Sequence, residues 1–357
     1  MALFRRCGLA ALISLLPAVL AAQASDLPSI ERQLKVWAAE MLDHPSLEVK
    51  KQRNREFSRL LIETLKRPES YTYPFDSLTT ISRLSPEDRS FRIFTWQIVD
   101  QQHPEQYYGQ QSHYYFGVVQ RRYVENGQTE YLVIPLVEMP EIPAGAENMV
   151  FDNNRWLGGL YYPPRYHTHI PRYSLKYFDP KQIGAGGKVK KVRQDFYLLM
   201  GWNGLDQRSN LKFVDVLSFD PKDKTRVIFG ANVFYFDPVI PKFRALFRYS
   251  EYAPFTLNYA YVKAGLTGKQ QMIVYDHLAS PKGAGRAPLE EIFEMGPDGS
   301  YDALRYERGP GEFTWVRNIG LAEKYNSKLS QKDLEARREA EQRKLREAGI
   351  VPPPIRE

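Results

Sequence analysis

The spacing His167-Thr168-His169 is the pattern in this sequence that most directly suggests metal chemistry. In an extended segment, alternate residues lie on the same side, so the two imidazoles share one face. Two imidazoles so placed suit a zinc or copper site. The sequence offers no identifiable third ligand, and the surrounding loop is rich in Tyr, Pro and Arg, where His-x-His arises by chance. We therefore predict no metal and no cofactor, and keep His167 and His169 as the residues to examine.

A second pattern is Asp276-His277, at the end of a predicted strand and beside a loop that contains Ser280. A carboxylate that orients a histidine near a serine is the arrangement of nucleophilic hydrolases. Adjacent residues of a strand lie on opposite faces, however, so Asp276 is badly placed to orient His277. We expect a strand-end histidine that is bonded to the backbone. Asp276 and His277 stay candidate binding residues, and the catalytic residues stay unknown.

Trp202 and Asn203 are the other candidate binding residues, since they close a predicted strand at an Asn-Gly pair. Aromatic rings at 107–108, 114–116 and 161–162 could stack on sugars or peptides. Cross-strand packing, which favours Tyr and Phe, is the simpler explanation for them. Among 42 acidic residues, the sequence does not identify a carboxylate pair for glycoside hydrolysis.

Several function classes lose support from composition and motifs. The single cysteine, Cys7, lies in a predicted signal peptide, so the mature chain has no disulfide, thiolate metal cage or cysteine nucleophile. Gly-x-Ser-x-Gly and Walker sequences are absent, as is Gly-x-Gly-x-x-Gly between a strand and a helix. The basic excess is small and local, and the cluster of Lys50, Lys51, Arg53 and Arg55 alternates with Glu48 and Glu56 as on a solvated face, which argues against a nucleic-acid partner.

The first 24 residues read as an export signal. Arg5 and Arg6 form a positive start, an apolar run follows from Cys7 to Leu20, and Ala22-Gln23-Ala24 supplies the small residues of a cleavage site. The apolar run is shorter than the about 20 residues that a membrane span requires. We therefore predict cleavage before Ser25, export to the periplasm or cell surface, and no transmembrane segment afterwards.

Three regions follow the signal: a helical region over 25–85, a β domain over 86–320 and a charged C-terminal segment over 321–357. Apolar residues at helical spacing before and after Asp43-His44-Pro45 predict a helical hairpin from Leu27 to about Arg67. Ser330 and Asp333 resemble a capping box, and a charged helix is predicted from Lys328 to Ala348, before a Pro-rich end.

From Phe91 to Trp315 the hydrophobic period is two, which predicts a long antiparallel array of strands. Asn126-Gly127 suits a type I′ hairpin turn, and Pro297-Asp298-Gly299 suits a turn after a strand at 289–295. Alternation in 211–219 and 243–250 predicts strands with one wet face. The predicted fold is mainly β (α+β): a helical hairpin, then an antiparallel meander forming a sandwich or a partly closed barrel, with a β-propeller as the alternative.

The strand segments, taken in order, resemble a family of exported proteins of Bacteroidetes-type bacteria whose activity is not assigned. The resemblance covers most of the chain from Leu27 to about Trp315, but not the insertion at 163–190 or the basic C-terminal helix. It implies export and a β-rich body, and it supplies no reaction. The strings that carry it are Tyr73-Pro74-Phe75-Asp76-Ser77-Leu78, Phe91-Arg92-Ile93-Phe94, Trp202-Asn203-Gly204, Phe213-Val214-Asp215-Val216-Leu217, Phe229-Gly230, Phe247-Arg248-Tyr249-Ser250, Met272-Ile273-Val274-Tyr275-Asp276-His277-Leu278 and Gly296-Pro297-Asp298-Gly299-Ser300-Tyr301-Asp302-Ala303.

Two functions of different class are consistent with these features. The first is an exported envelope protein that binds or scaffolds without catalysis, with an envelope protein or a glycan as partner. The alternative is a secreted hydrolase acting on glycan or peptide, with acidic and aromatic residues lining a cleft. The missing nucleophile and metal motifs favour the first, so whether the chain is an enzyme stays uncertain and leans towards no.

Overall fold

The computed structural model describes residues 27–100, 112–165, 167–183, 189–206, 208–236, 240–263, 269–279 and 295–319. The predicted signal peptide and the predicted C-terminal helix lie outside the described residues, as do residues 289–294 of a predicted strand. Within the described part of the chain, no helix combines the length and the apolar character needed to cross a membrane.

The predicted helical hairpin is confirmed. Helix α1 spans Leu27–Asp43 and helix α2 spans Leu47–Leu65. Between them, the Ser46 amide donates a hydrogen bond to Nδ1 of His44 at 3.0 Å. Apolar side chains at helical spacing on both helices are buried against the first β-sheet. The Lys50 ammonium reaches across this contact and donates to the Val99 carbonyl at 3.0 Å, which ties the hairpin to the sheet.

Sixteen strands are assigned in the described residues, which confirms the mainly β prediction. They are β1 Ser82–Leu84, β2 Phe91–Val99, β3 His113–Glu125, β4 Gln128–Leu136, β5 Phe151–Asp152, β6 Leu160–Tyr162, β7 Arg172–Ile183, β8 Val189–Asn203, β9 Ser209–Phe219, β10 Val227–Phe229, β11 Phe234–Tyr235, β12 Ala245–Ser250, β13 Leu257–Lys263, β14 Lys269–Ala279, β15 Gly296–Glu307 and β16 Glu312–Val316.

The strands form three sheets. The first has the order β1-β2-β3-β4, and the third has the order β11-β16-β15-β14-β13. The middle sheet is built on β8 and β9, with β6 and β7 paired to β8, β10 and β12 paired to β9, and β5 paired to β10. Every pairing is antiparallel except β11 with β16, which is parallel. Among the described residues, none of the three sheets closes on itself. The architecture is therefore a stacked sandwich and not a propeller.

Buried side chains define the order of the layers. The helices cover one face of the first sheet, and a core that includes Phe91, Tyr115 and Phe213 joins its other face to the middle sheet. A second core, which includes Phe247 and Ile273, joins the middle sheet to the third. The layers therefore follow the order helices, first sheet, middle sheet, third sheet.

The prediction of one wet face for 211–219 is wrong. Leu211, Phe213 and Leu217 enter the core shared with the first sheet, whereas Val214 and Val216 enter the core shared with the third. The alternation along β9 separates two buried faces, because a sheet lies on each side of the strand.

One of the two predicted turns is confirmed. Asn126 and Gly127 have φ values of 50° and 79°, the two positive values that a type I′ turn requires. Pro297-Asp298-Gly299 is not a turn between strands, because it lies within β15. There the register with β14 shifts opposite His277, so Asp298, Gly299 and Ser300 form a bulge in which Gly299 has a φ of 89°.

Candidate functional site

The loop that contains His167 and His169 lines a cavity of about 490 Å³. The loop joins β6 to β7, and the facing wall comes from the segment that joins β1 to β2. The cavity therefore lies where a connection of the first sheet meets a connection of the middle sheet. Its lining residues are Pro86, Glu87, Asp88, His167, Thr168, His169, Ile170, Pro171 and Arg172.

Anchors on both sides hold this loop in place. The amide of Arg165 donates to the side-chain oxygen of Asn258, on edge strand β13 of the third sheet. The amide of Ile170 donates to the Ser85 carbonyl at 2.9 Å, and Ile170 is buried. The loop is thus fixed to the first and third sheets, and the histidines lie between the two anchors.

An ion network forms the cavity wall at Arg172. Its guanidinium pairs with Asp88 at 3.0 Å and also with Asp195. Asp88 accepts further hydrogen bonds from the Ser90 amide and the Tyr197 hydroxyl, each at 2.9 Å. Burial raises the pKa of Asp88, but the bonds from Ser90 and Tyr197 and the charge of Arg172 outweigh it and lower the pKa. Asp88 is therefore an ionised group with a fixed orientation.

The two imidazoles are half-buried and keep unused hydrogen-bonding capacity. Burial lowers the pKa of His167, opposed by a hydrogen bond with Gln271, so the ring is neutral at pH 7. Nε2 of His167 and Nδ1 of His169 are buried and have no hydrogen-bond partner among the described residues. No group of three or more His, Cys, Asp or Glu residues suited to a metal ion occurs in the described parts of the chain.

Trp202 and Asn203 are the last two residues of β8, and Asn203 shapes the loop that follows. Its Nδ2 donates to the Gly158 carbonyl at 3.3 Å, and its Oδ1 accepts the Leu205 amide at 2.8 Å. Leu205, with a φ of 34°, supplies the left-handed position of this loop. Trp202 is half-buried and meets the ring of His113 edge-on, with the ring centroids 5.5 Å apart.

Sequence reasoning missed a polar cluster beside this loop, centred on Asp206. The Asp206 carboxylate accepts the Ser209 amide at 2.8 Å and pairs with Arg248 at 3.1 Å. Burial and the negative charge of Asp206 raise the pKa of Glu251. Burial lowers the pKa of His113 to about 4, opposed by the charge of Asp206. A partly buried neutral histidine and the carboxyl groups of Asp206 and Glu251 therefore lie near one another at this end of the middle sheet.

Asp276 and His277 take opposite directions, as the alternation of β14 predicts. Asp276 is buried and accepts the Thr256 amide; burial raises its pKa, opposed by that bond and by the charge of Lys212. Lys212 is also the cross-strand partner of Trp202.

The expected backbone partner of His277 is wrong, because its ring bonds a carboxylate. Nδ1 of His277 lies 2.8 Å from Oδ2 of Asp298, on the bulge of β15. The other oxygen of Asp298 accepts the amide and hydroxyl of Ser300, and these bonds lower the pKa of Asp298 to about 2. The Ser300 hydroxyl donates to the carboxylate, so the three residues lack the serine-to-histidine bond of a nucleophilic triad. Ser280 lies outside the described residues.

Several groups that suggested chemistry are instead parts of the core. Tyr115 and Tyr161 are buried between the first and middle sheets, so cross-strand and intersheet packing explains them. Asp215 is completely buried, and its Oδ2 lies 3.3 Å from Nε of the equally buried Arg244. Arg244 also donates to the backbone carbonyls of the 146–149 segment and of Phe229. The Asp215–Arg244 pair therefore joins β9 to its neighbours, and its position inside the core keeps substrate away from it.

Comparison with known proteins gave no match to a family model, to a curated protein or to a solved structure.

Proposed function

We propose that the chain is an exported, non-catalytic binding protein of the periplasm or cell surface, and that the cavity beside His167 and His169 is its ligand site. The observation that carries this proposal is the cavity of about 490 Å³ with an anchored wall. Ligand sites combine a largely pre-formed concave surface with a few oriented polar groups. Asp88, fixed by Arg172, Ser90 and Tyr197, is such a group. The same proposal includes that the chain is exported and that it belongs to the exported family that its sequence resembles.

The binding part is tested with a variant that fills the cavity. Thr168→Trp places an indole on the lining, and Thr129→Trp, on the exposed end of the β3–β4 hairpin, is the matched control. A mixture of envelope glycans and peptides is screened by NMR against residues 25–357. We expect ligand-induced shifts that Thr168→Trp abolishes and Thr129→Trp keeps. Equal binding by both variants would place the ligand site elsewhere.

The export part is tested in cells that produce the full chain. A mature protein that starts at Ser25 and fractionates with the envelope is the expected result. An unprocessed protein in the cytoplasmic fraction would contradict this part of the proposal and leave the cavity proposal intact.

A hydrolase is the second candidate, and the Asp206 cluster is the observation that favours it. Glu251, with its raised pKa, has the property of a general acid beside a second carboxylate. Release of reducing sugar or of amine from envelope glycans and peptides is the assay. If the protein is a hydrolase, Glu251→Gln should lose the release of sugar or amine. Glu63→Gln, a control on the exposed face of α2, should keep it in full.

A further inference from the structure

The lining of the cavity contains one cation that is already paired and two buried imidazole nitrogens that have no partner among the described residues. Arg172 is the one charged donor among the described lining residues, and it is committed to Asp88 and Asp195. Nε2 of His167 and Nδ1 of His169 have no partner in the described structure. A neutral imidazole nitrogen without hydrogen accepts a hydrogen bond. These two buried nitrogens are unsatisfied in the described structure, and a ligand donor would satisfy one that carries no hydrogen.

The charges point to the same ligand chemistry. Among the described lining residues, the two carboxylates of Glu87 and Asp88 outnumber the one guanidinium, that of Arg172, which also pairs with Asp195 outside the lining. Glu87 is exposed and makes no ion pair or hydrogen bond among the described residues. Arg89 follows Asp88 in the sequence and Arg165 precedes His167 by two residues, but neither arginine lines the cavity. An anionic ligand would meet this excess of negative charge, whereas a cation would be attracted by it.

We propose that the cavity binds a primary ammonium group, which donates to the imidazoles of His167 and His169 and is attracted by the carboxylates of Glu87 and Asp88. An ammonium carries three donors and one positive charge, which complements the unpartnered imidazole nitrogens and the carboxylate of Glu87. The imidazoles are half-buried, so a change of side-chain rotamer on binding brings their nitrogens to the ligand. This inference rests on the proposed function, since it names the chemistry of the ligand for the same cavity.

The test uses four small probes and residues 25–357 with labelled histidine. The probes are Nα-acetyl-lysine methylamide, its Nε-acetylated form, Nα-acetyl-glutamate methylamide and glycerol. NMR shifts of the His167 and His169 rings report binding. We expect shifts with the lysine probe, and at least a tenfold weaker affinity once its ammonium is acetylated. A peptide with one lysine and an aliphatic diamine are then compared: tighter binding of the peptide indicates a protein partner, and tighter binding of the diamine indicates a free amine.

Two variants test the residues that the proposal names. Glu87→Gln is expected to weaken lysine binding about two- to fivefold, the range for an exposed ion pair. His167→Phe keeps a ring and removes the acceptor, with an expected loss of about tenfold, the range for a hydrogen bond to a charged group. Glu63→Gln is the charge-matched control and should bind as the unchanged protein does. Thermal unfolding confirms that each variant is folded.

The outcomes separate this inference from the proposed function. Ring shifts with the glutamate probe or glycerol, and none with lysine, would overturn the ammonium inference and keep the cavity as a ligand site. Equal affinity for lysine and its acetylated form would also overturn the inference. Ring shifts with none of the probes, and none in the wider screen described above, would overturn both.

Discussion

Removal of the Arg244 side chain is expected to be the most destabilising single substitution in the middle sheet. Arg244 and Asp215 are both completely buried, with Nε and Oδ2 3.3 Å apart. Loss of one partner of a buried ion pair costs about 3–5 kcal/mol, because the other charge is left uncompensated. Arg244→Met also takes donors from three backbone carbonyls, so we expect a loss at the upper end of this range.

The free energy of unfolding is measured by urea denaturation followed by circular dichroism. Arg226→Met is the matched control, because Arg226 pairs with Asp152 and Asp220 on the surface. Exposed pairs contribute about 0–1 kcal/mol, so the control should unfold almost like the unchanged protein. A loss of less than about 1 kcal/mol in Arg244→Met would refute the reasoning that the buried guanidinium holds β9 to its neighbours.

A double-mutant cycle separates the ion pair from the carbonyl contacts. Asp215→Asn removes the negative charge and leaves the bonds from Arg244 to the carbonyls in place. Because each single change leaves the other member of the pair unmatched, the double variant should lose less than the sum of the two, by about 1–3 kcal/mol. Additive losses would mean that Arg244 acts through the backbone carbonyls alone.

Three further predictions concern titration and packing. His113 has an ordinary pKa near 6.5 in the unfolded state, whereas burial holds its pKa near 4 in the folded state. The free energy of unfolding is therefore expected to fall by about 2 kcal/mol between pH 7.5 and pH 5. Urea titrations at the two pH values should show that this pH dependence is absent in His113→Phe. The Asp298 carboxyl should titrate near 2 by carbon NMR, and higher in Ser300→Ala, which lacks one of the bonds that lower its pKa; an unchanged midpoint would contradict the stated cause. Gly204→Ala puts a Cβ about 2.5 Å from the His113 ring. We expect thermal unfolding to show a loss of about 1–3 kcal/mol in the free energy of unfolding. An unchanged stability would show that the ring moves aside freely.

Local features of the fold were predictable because their causes lie within a few residues. The turn at Asn126-Gly127 depends on two residues that tolerate positive φ, and the helical hairpin depends on apolar spacing within each helix. Both faces of β9 are buried because the third sheet packs against one of them. The alternation within one strand cannot predict the presence of that sheet. The sequence did contain a signal for the buried pair: Asp215 stands alone in the apolar string 213–217, and a buried charge needs a partner.

The candidate site was only partly predictable, for a related reason. His167 and His169 were identified by spacing, but their cavity wall comes from Asp88 and Arg172, which other strands position. The partner of His277 is 21 residues away on a bulge that looked like a turn. Pairings of this kind are set by sheet register, and a one-residue shift would separate the groups.

The stacking of the sheets explains why the cavity is a better ligand site than the dyad of His277 and Asp298. The dyad lies on a single sheet and is exposed, with its carboxylate already bonded to Ser300. The cavity wall is anchored to the first sheet at Ser85 and to the third at Asn258, so the two outer sheets together fix its shape. A loop whose backbone is held from two sides loses little backbone freedom when a ligand binds, and this anchoring is the physical basis for assigning binding to the cavity.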